Sequence, residues 1–217
     1  MTRRTLPLIL AAPLLLAAAS FGGWAIISLD EVPDTVPVGK PVTLGFMVRQ
    51  HGVDPLEDIT PTIEARNGDR TVRATARPTG RRGHYSARLT LPVAGDWNTV
   101  IHSGFGRSRL TLVPLQATTA GAAPAPLSTH ERGRRLFAAK GCASCHEHSE
   151  VPESGMIDMG PELTRLRFEP AYLARFLADP SIKPQTPGRG RMPDLDLSQA
   201  EITALVAFVN AERAARR

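Results

Sequence analysis

Gly141-Cys142-Ala143-Ser144-Cys145-His146 is the stretch on which the reading of this chain turns, and its two cysteines are the only ones among 217 residues. Two thiols are too few for a disulfide scaffold, and a bridge between residues three apart would close a tiny loop and add little. A thioredoxin-type pair opens a helix after a strand within a βαβ unit, whereas here a helical pattern and a glycine come first. A zinc ribbon needs a second C-x-x-C, and neighbouring His130 and His148 do not supply one. What fits is C-x-x-C-H, in which two thiols bond the vinyl groups of one porphyrin and the next residue ligates its iron. The motif therefore predicts one covalently attached haem c per chain, held by Cys142 and Cys145, with His146 as iron ligand.

Working outward, a sixth ligand is sought downstream. His148 is only two residues past His146, so the chain cannot carry it to the opposite ring face. Met156 and Met159 sit in a Gly/Pro/acidic loop and read as packing near the haem edge, with Met159 the lesser ligand candidate. Met192, in Gly190-Arg191-Met192-Pro193, has enough chain before it to wrap around the distal side, and it is the expected ligand. Its other reading is a gap-filling core side chain, and an open sixth site is the remaining possibility. Arg189 and Arg191 could pair with haem propionates or stand as solvated cations.

The motif lies among helical patterns. Ser128–Lys140 reads as a helix stopped by Gly141. Glu169–Ala178 reads as a second, with Pro170 in its first turn. Ser198–Ala215 is the third: Ser198 and Glu201 spell a capping box, and Ile202, Leu205, Val206, Phe208 and Val209 form an apolar stripe.

These elements, in this order, make residues 128–217 resemble a class I c-type cytochrome domain. Gly133 and Phe137 resemble the G-x-x-x-F of that family's first helix, which packs on an aromatic of the last helix, a place Phe208 could fill. Tyr or Trp is common there, a minor departure. Gly160-Pro161 resembles the family's Gly-Pro, whose proline carbonyl accepts a hydrogen bond from the ligand histidine. Met192-Pro193 resembles the axial Met-Pro pair, and Tyr172–Pro184 also has the family's look. The resemblance implies an all-α haem domain with His146 and Met192 as iron ligands.

Upstream the period changes. Trp24–Leu29, Val42–Val48, Thr60–Ala65, Thr71–Ala76, Tyr85–Leu91, Trp97–His102 and Ser108–Val113 read as short strands, with turns at Asn67-Gly68-Asp69, Pro78-Thr79-Gly80 and Ala94-Gly95-Asp96. Tyr85, Ala87, Leu89 and Leu91 alternate with Ser86, Arg88 and Thr90. About seven strands predict an antiparallel sandwich over 22–115. Gly83-His84-Tyr85-Ser86-Ala87-Arg88-Leu89-Thr90-Leu91-Pro92 and Gly95-Asp96-Trp97 resemble exported immunoglobulin-like domains of the FixH/YtkA type. That resemblance implies links to oxidase assembly and copper handling, and makes Met47, His51, His84 and His102 candidate copper ligands. Residues 116–127, uncharged and rich in Ala, Thr, Gly and Pro, read as a flexible linker spanning roughly 20 Å.

At the N-terminus, Arg3 and Arg4 precede an uncharged run over 5–29, centred on Leu8–Ala19. Residues 1–21 read as a signal peptide, with Ala17-Ala18-Ala19 offering small residues for cleavage, or as a retained membrane anchor. Either reading puts the remainder outside the cytoplasm, in the periplasm or on the outer face of the cytoplasmic membrane. The chain has 26 basic and 21 acidic residues, a formal charge of +5. Residues 28–116 carry 11 basic and 9 acidic side chains and residues 117–217 carry 13 and 12, too balanced for a nucleic-acid surface.

The expectation is thus an all-β immunoglobulin-like sandwich followed by an all-α cytochrome c domain. The chain would be an exported one-electron carrier rather than an enzyme, its β-domain a docking or tethering module. Its partners would be redox proteins, either a membrane oxidase or reductase or a soluble donor or acceptor. The alternative is an oxidase-assembly or copper-handling protein with a redox haem.

Overall fold

The computed structural model describes residues 23–119, 126–153, 155–157, 159–184 and 192–211. The signal or anchor segment, most of the linker centre, and Arg189 and Arg191 lie outside these. Among the described residues no helix is long and apolar enough to cross a membrane.

The N-terminal unit is two facing sheets. One contains β1 (Ala25–Leu29), β3 (Pro41–Gln50), β4 (Asp54–Pro55), β7 (Arg77–Pro78) and β8 (His84–Thr90), in the order β1-β3-β8-β7 with β4 also on β3. The other contains β2 (Val36–Pro37), β5 (Thr62–Asn67), β6 (Arg70–Thr75), β9 (Gly95–His102), β10 (Arg109–Thr111) and β11 (Leu115–Thr118), in the order β2-β11-β9-β5-β6 with β10 also on β9. Every pairing is antiparallel except β2 with β11. All seven expected strands are present, and Asn67 pairs with Arg70 across the expected turn.

Alternation explains the interior. Tyr85, Ala87 and Leu89 are buried on β8 while Arg88 and Thr90 are exposed. Trp97 and Phe46 are completely buried between the sheets, each stabilising the core by about 2–3 kcal/mol. Trp97 Nε1 donates to the Val93 carbonyl at 3.1 Å, so its one polar atom is satisfied.

The sheet runs further than expected. Leu115 and Ala117 are buried and pair with Trp97 and Gly95, so residues read as linker from 116 are strand through Thr118. Pro114 separates β10 from β11, and both lie along β9. The two-residue strands β2, β4 and β7 are too short for any periodicity to announce them.

The C-terminal unit is helical, with α1 (Thr129–Ala139), α2 (Cys142–Cys145), α3 (Pro170–Ala178), a 3-10 turn (Pro180–Ile182) and α4 (Gln199–Val209). The side chain of Ser128 caps α1, that of Glu169 caps α3, and Ser198 with Glu201 completes a capping box on α4. The expected third helix ran to Ala215; α4 stops at Val209 with Asn210 as its C-cap. α1 crosses α4 where Gly133 faces the Ala204 carbonyl and Phe208, leaving no room for a Cβ. Phe137 and Phe208 meet there at 5.5 Å. This two-domain arrangement, a β-rich unit and a helical unit, is the fold class expected.

The units pack directly on one another. Gly141 has φ +81°, and a Cβ on it would come within 2.5 Å of the Ile27 carbonyl oxygen. Lys140 donates to the Asp30 carbonyl at 2.9 Å and pairs with Glu201 at 2.8 Å. Arg135 donates to the Asp34 carbonyl at 3.0 Å, and Glu153 accepts from Arg109 and Thr111 at 3.0 and 2.6 Å. Ala139 belongs to the sandwich core, Val113 to the helical core, and Val32 packs against both.

Candidate functional site

α1 ends at Ala139, and the left-handed Gly141 redirects the chain into the short α2. That turn carries Cys142, Cys145 and His146 to the wall of one open cavity. Met192, from the segment before α4, lines the same cavity. Leu173, Leu177, Leu205 and Val209 supply apolar wall, and Tyr172 and Phe176, one helical turn apart on α3, stack at 6.3 Å along it.

His146 Nδ1 lies 3.0 Å from the Pro161 carbonyl, which can only accept, so Nδ1 carries the proton and donates. This leaves Nε2 as the nitrogen able to ligate a metal. Gly160 rests on the imidazole so closely that a Cβ would overlap the ring. Burial pushes the His146 pKa down and the Pro161 bond opposes it, so the imidazole is held neutral, the form that ligates.

Burial pushes the Cys142 thiol up to about 12 and the Cys145 thiol up to about 11. A thioredoxin-type nucleophile needs a depressed thiol pKa, so these are poor exchange cysteines. Two thiols, a neutral imidazole, a thioether and apolar walls are a donor set that fits a haem.

The other methionines separate. Met156 is exposed. Met159 lines the cavity immediately before Gly160, the residue that rests on His146. His148 is completely buried, with its ring 4.2 Å from Phe208 and 5.4 Å from Phe137, so it packs between α1 and α4.

Sequence reasoning missed part of this wall. Trp24, Ile26 and Lys140 also line the cavity. Trp24 and Ile26 belong to the sandwich, and nothing local to them signals a site in the other unit.

The candidate copper ligands do not converge. Met47 and His84 are register partners, but the two His84 nitrogens lie 2.8 Å from Asp30 Oδ2 and 2.6 Å from Thr79 Oγ1. His51 packs edge-on to Trp24 at 5.3 Å, and His102 is on the other sheet. Among the described residues no three His, Cys, Asp or Glu side chains could hold a metal ion together.

Comparison with known proteins bears on the two units unequally. Residues 128–209 match the family model described as "Cytochrome C oxidase, cbb3-type, subunit III". No curated protein matches the chain. Among solved structures, surface layer protein SbsC, domains 1-6, is similar at 14% identity over 44% of this chain and 13% of that one, TM-score 0.34. Superoxide reductase (Neelaredoxin) from Ignicoccus hospitalis is similar at 15% identity over 43% and 80%, TM-score 0.30. E. coli alpha-2-macroglobulin in its native conformation is similar at 14% over 49% and 7%, TM-score 0.34. Likenesses this slight carry no functional argument. The helical segment does have a family, one that implies a haem cofactor, an electron-carrying role and redox partners. Residues 128–209 thus match a family of class I c-type cytochromes, and in this chain they are joined to a β-sheet unit consistent with an immunoglobulin-like domain.

Proposed function

We propose that the chain is an exported monohaem c-type cytochrome that passes single electrons between redox proteins. Cys142 and Cys145 would hold the haem through thioethers, and His146 and Met192 would be the residues that ligate its iron. The observation that carries this reading is convergence: side chains from α2 and from the segment before α4 meet in one apolar cavity, in a segment that matches a cytochrome family. Haem held there supplies one-electron chemistry at iron with no bond made in a substrate.

The chain's own contribution is orientation and exclusion. Pro161 fixes the imidazole and makes it a better donor. Gly160 lets the backbone approach the ring, and the α3 and α4 side chains give the cavity its apolar wall. Iron held by both His146 and Met192 would have a relatively high potential and no free site for peroxide, which favours electron transfer over peroxidase chemistry. The sandwich, packed on the helical unit, is the docking or tethering module. The oxidase named in the family description supports a membrane oxidase as one partner class, and Arg3-Arg4 with the Leu/Ala run supports export to the periplasm or the outer face of the cytoplasmic membrane.

Visible and near-infrared spectra of the full chain, made with a haem-attachment system, test the reading. The expected result is covalent low-spin haem with a ferric methionine–iron charge-transfer band that Met192→Ala abolishes. High-spin haem in the unaltered protein would remove Met192 from the ligand set, and absence of covalent haem would overturn the whole reading.

A further inference from the structure

The sandwich does more than adjoin the haem unit. Trp24 and Ile26 line the same cavity as His146 and Met192. The β3–β4 connection is the three-residue turn His51-Gly52-Val53, with His51 at φ 52° and Gly52 at φ 76°, both left-handed. Val53 N donates to the Gln50 carbonyl and His51 N to the Trp24 carbonyl, both at 3.0 Å, so the turn is tied to Trp24. A Cβ on Gly52 would lie 3.1 Å from Ile26 Cδ1 and 3.6 Å from Pro193 Cγ. The turn thus abuts the residue that follows Met192.

Charge adds a second link. Beyond Pro193 the chain makes a small turn in which Asp196 N donates to Asp194 Oδ1 at 3.0 Å. Arg49, at the end of β3, donates from Nη1 to Ser28 Oγ at 2.9 Å. Burial pushes the Arg49 guanidinium below its usual value and Arg81 adds to that, while Asp194, Asp30 and Asp196 act in the opposite direction. A partly buried cation of the sandwich is therefore held in the field of the carboxylates that follow Met192-Pro193.

We propose that the β3–β4 turn and Arg49 position the Met192–Asp196 segment, so that docking of the sandwich sets how firmly the sixth ligand is held. Arg49 and Gly52 are positioning residues: they act through the segment and not on the iron. The proposal rests on the reading of Met192 as ligand only for its spectroscopic consequence. Its structural consequence, ordering of the segment, stands apart from that reading.

The test compares full-length holoprotein with Arg49→Ala, Arg49→Lys and Asp194→Asn, and with Arg66→Ala on the far sheet as control. Asp194→Asn keeps the Oδ1 acceptor and removes only charge. Circular dichroism first verifies that each variant is folded. Hydrogen exchange of the peptide covering 192–197 is followed together with the methionine–iron band and the rate of imidazole binding to the ferric protein. Arg49→Ala and Asp194→Asn are expected to speed exchange in that peptide several-fold, weaken the band and raise the imidazole rate about tenfold. Arg49→Lys is expected to recover most of the difference, and Arg66→Ala to change nothing. Unchanged exchange and imidazole rates in Arg49→Ala and Asp194→Asn, with the band present in the unaltered protein, would overturn the positioning role and leave the ligand reading standing. A missing band in the unaltered protein would overturn the ligand reading, and exchange of the 192–197 peptide would then decide the positioning role by itself.

Discussion

The sandwich and the helical unit solve the problem of an interior in opposite ways. The sandwich fills its core with its own side chains, Trp97, Phe46, Ile63 and Leu91 among them, all completely buried. The helical unit closes one seam, where Gly133, Phe137 and Phe208 meet, and turns the rest of its apolar surface toward an open cavity. A core filled by side chains depends little on a ligand; a core built around a cavity depends on what enters it and on what stands beside it.

The largest effect that would sharpen this contrast is loss of the cofactor. Chain made with Cys142→Ala and Cys145→Ala should keep its β-sheet signal while its helical signal melts earlier. A bound group worth several kcal/mol corresponds to about 10 °C or more in the midpoint. Equal helical melting with and without attachment would break the comparison. Next comes Trp97→Ala, expected to cost about 3–5 kcal/mol in denaturant unfolding. Because Ala139 of the helical segment packs in the sandwich core, the helical signal should be destabilised as well; a helical transition left unmoved would show the units independent.

Lys140 tests the seam. Its ammonium is buried between the Asp30 carbonyl and Glu201, and Lys140→Met should cost about 2–3 kcal/mol by leaving Glu201 unpaired. Burial pushes the Glu201 carboxyl up, but hydrogen bonds from Lys140 and Ser198 outweigh it, and the group ends below its ordinary value. Its contribution is therefore fully present above the unfolded-chain value of about 4.3 and drains away as pH falls through the lower, folded one. Stability measured from pH 7 downward should fall below about pH 4.5, less steeply in Lys140→Met. The smallest effect is Ser198→Ala, which removes one half of the α4 capping box for about 1 kcal/mol.

How much of this was legible in the sequence follows from the range of each interaction. The starts of α1, α3 and α4 were readable because capping is local: Ser128, Glu169 and Ser198 bond their own helices. The β8 alternation was readable because burial there has period two. The end of α4 was not, because an apolar stripe does not say where a helix stops. Gln116–Thr118 reads as linker because its composition resembles the Ala/Thr stretch that follows, while its pairing with Gly95 and Asp96 is set by the sheet. Cys142, Cys145 and His146 announce themselves by spacing. Trp24 and Ile26 carry no such signal, since only the docking of two units brings them to the cavity wall.

The exchange of Ala139 and Val113 between the two cores has a consequence for how divisible the chain is. Ala139 comes from the helical segment and completes the sandwich interior; Val113 comes from the sandwich and completes the helical one. Severing the chain between Thr119 and Pro126 would give neither fragment a finished interior, because each would leave with a plug belonging to the other. The boundary drawn by composition is not the boundary drawn by contact, and a shuffled copy of either unit would need new residues at the scar before it could stand alone.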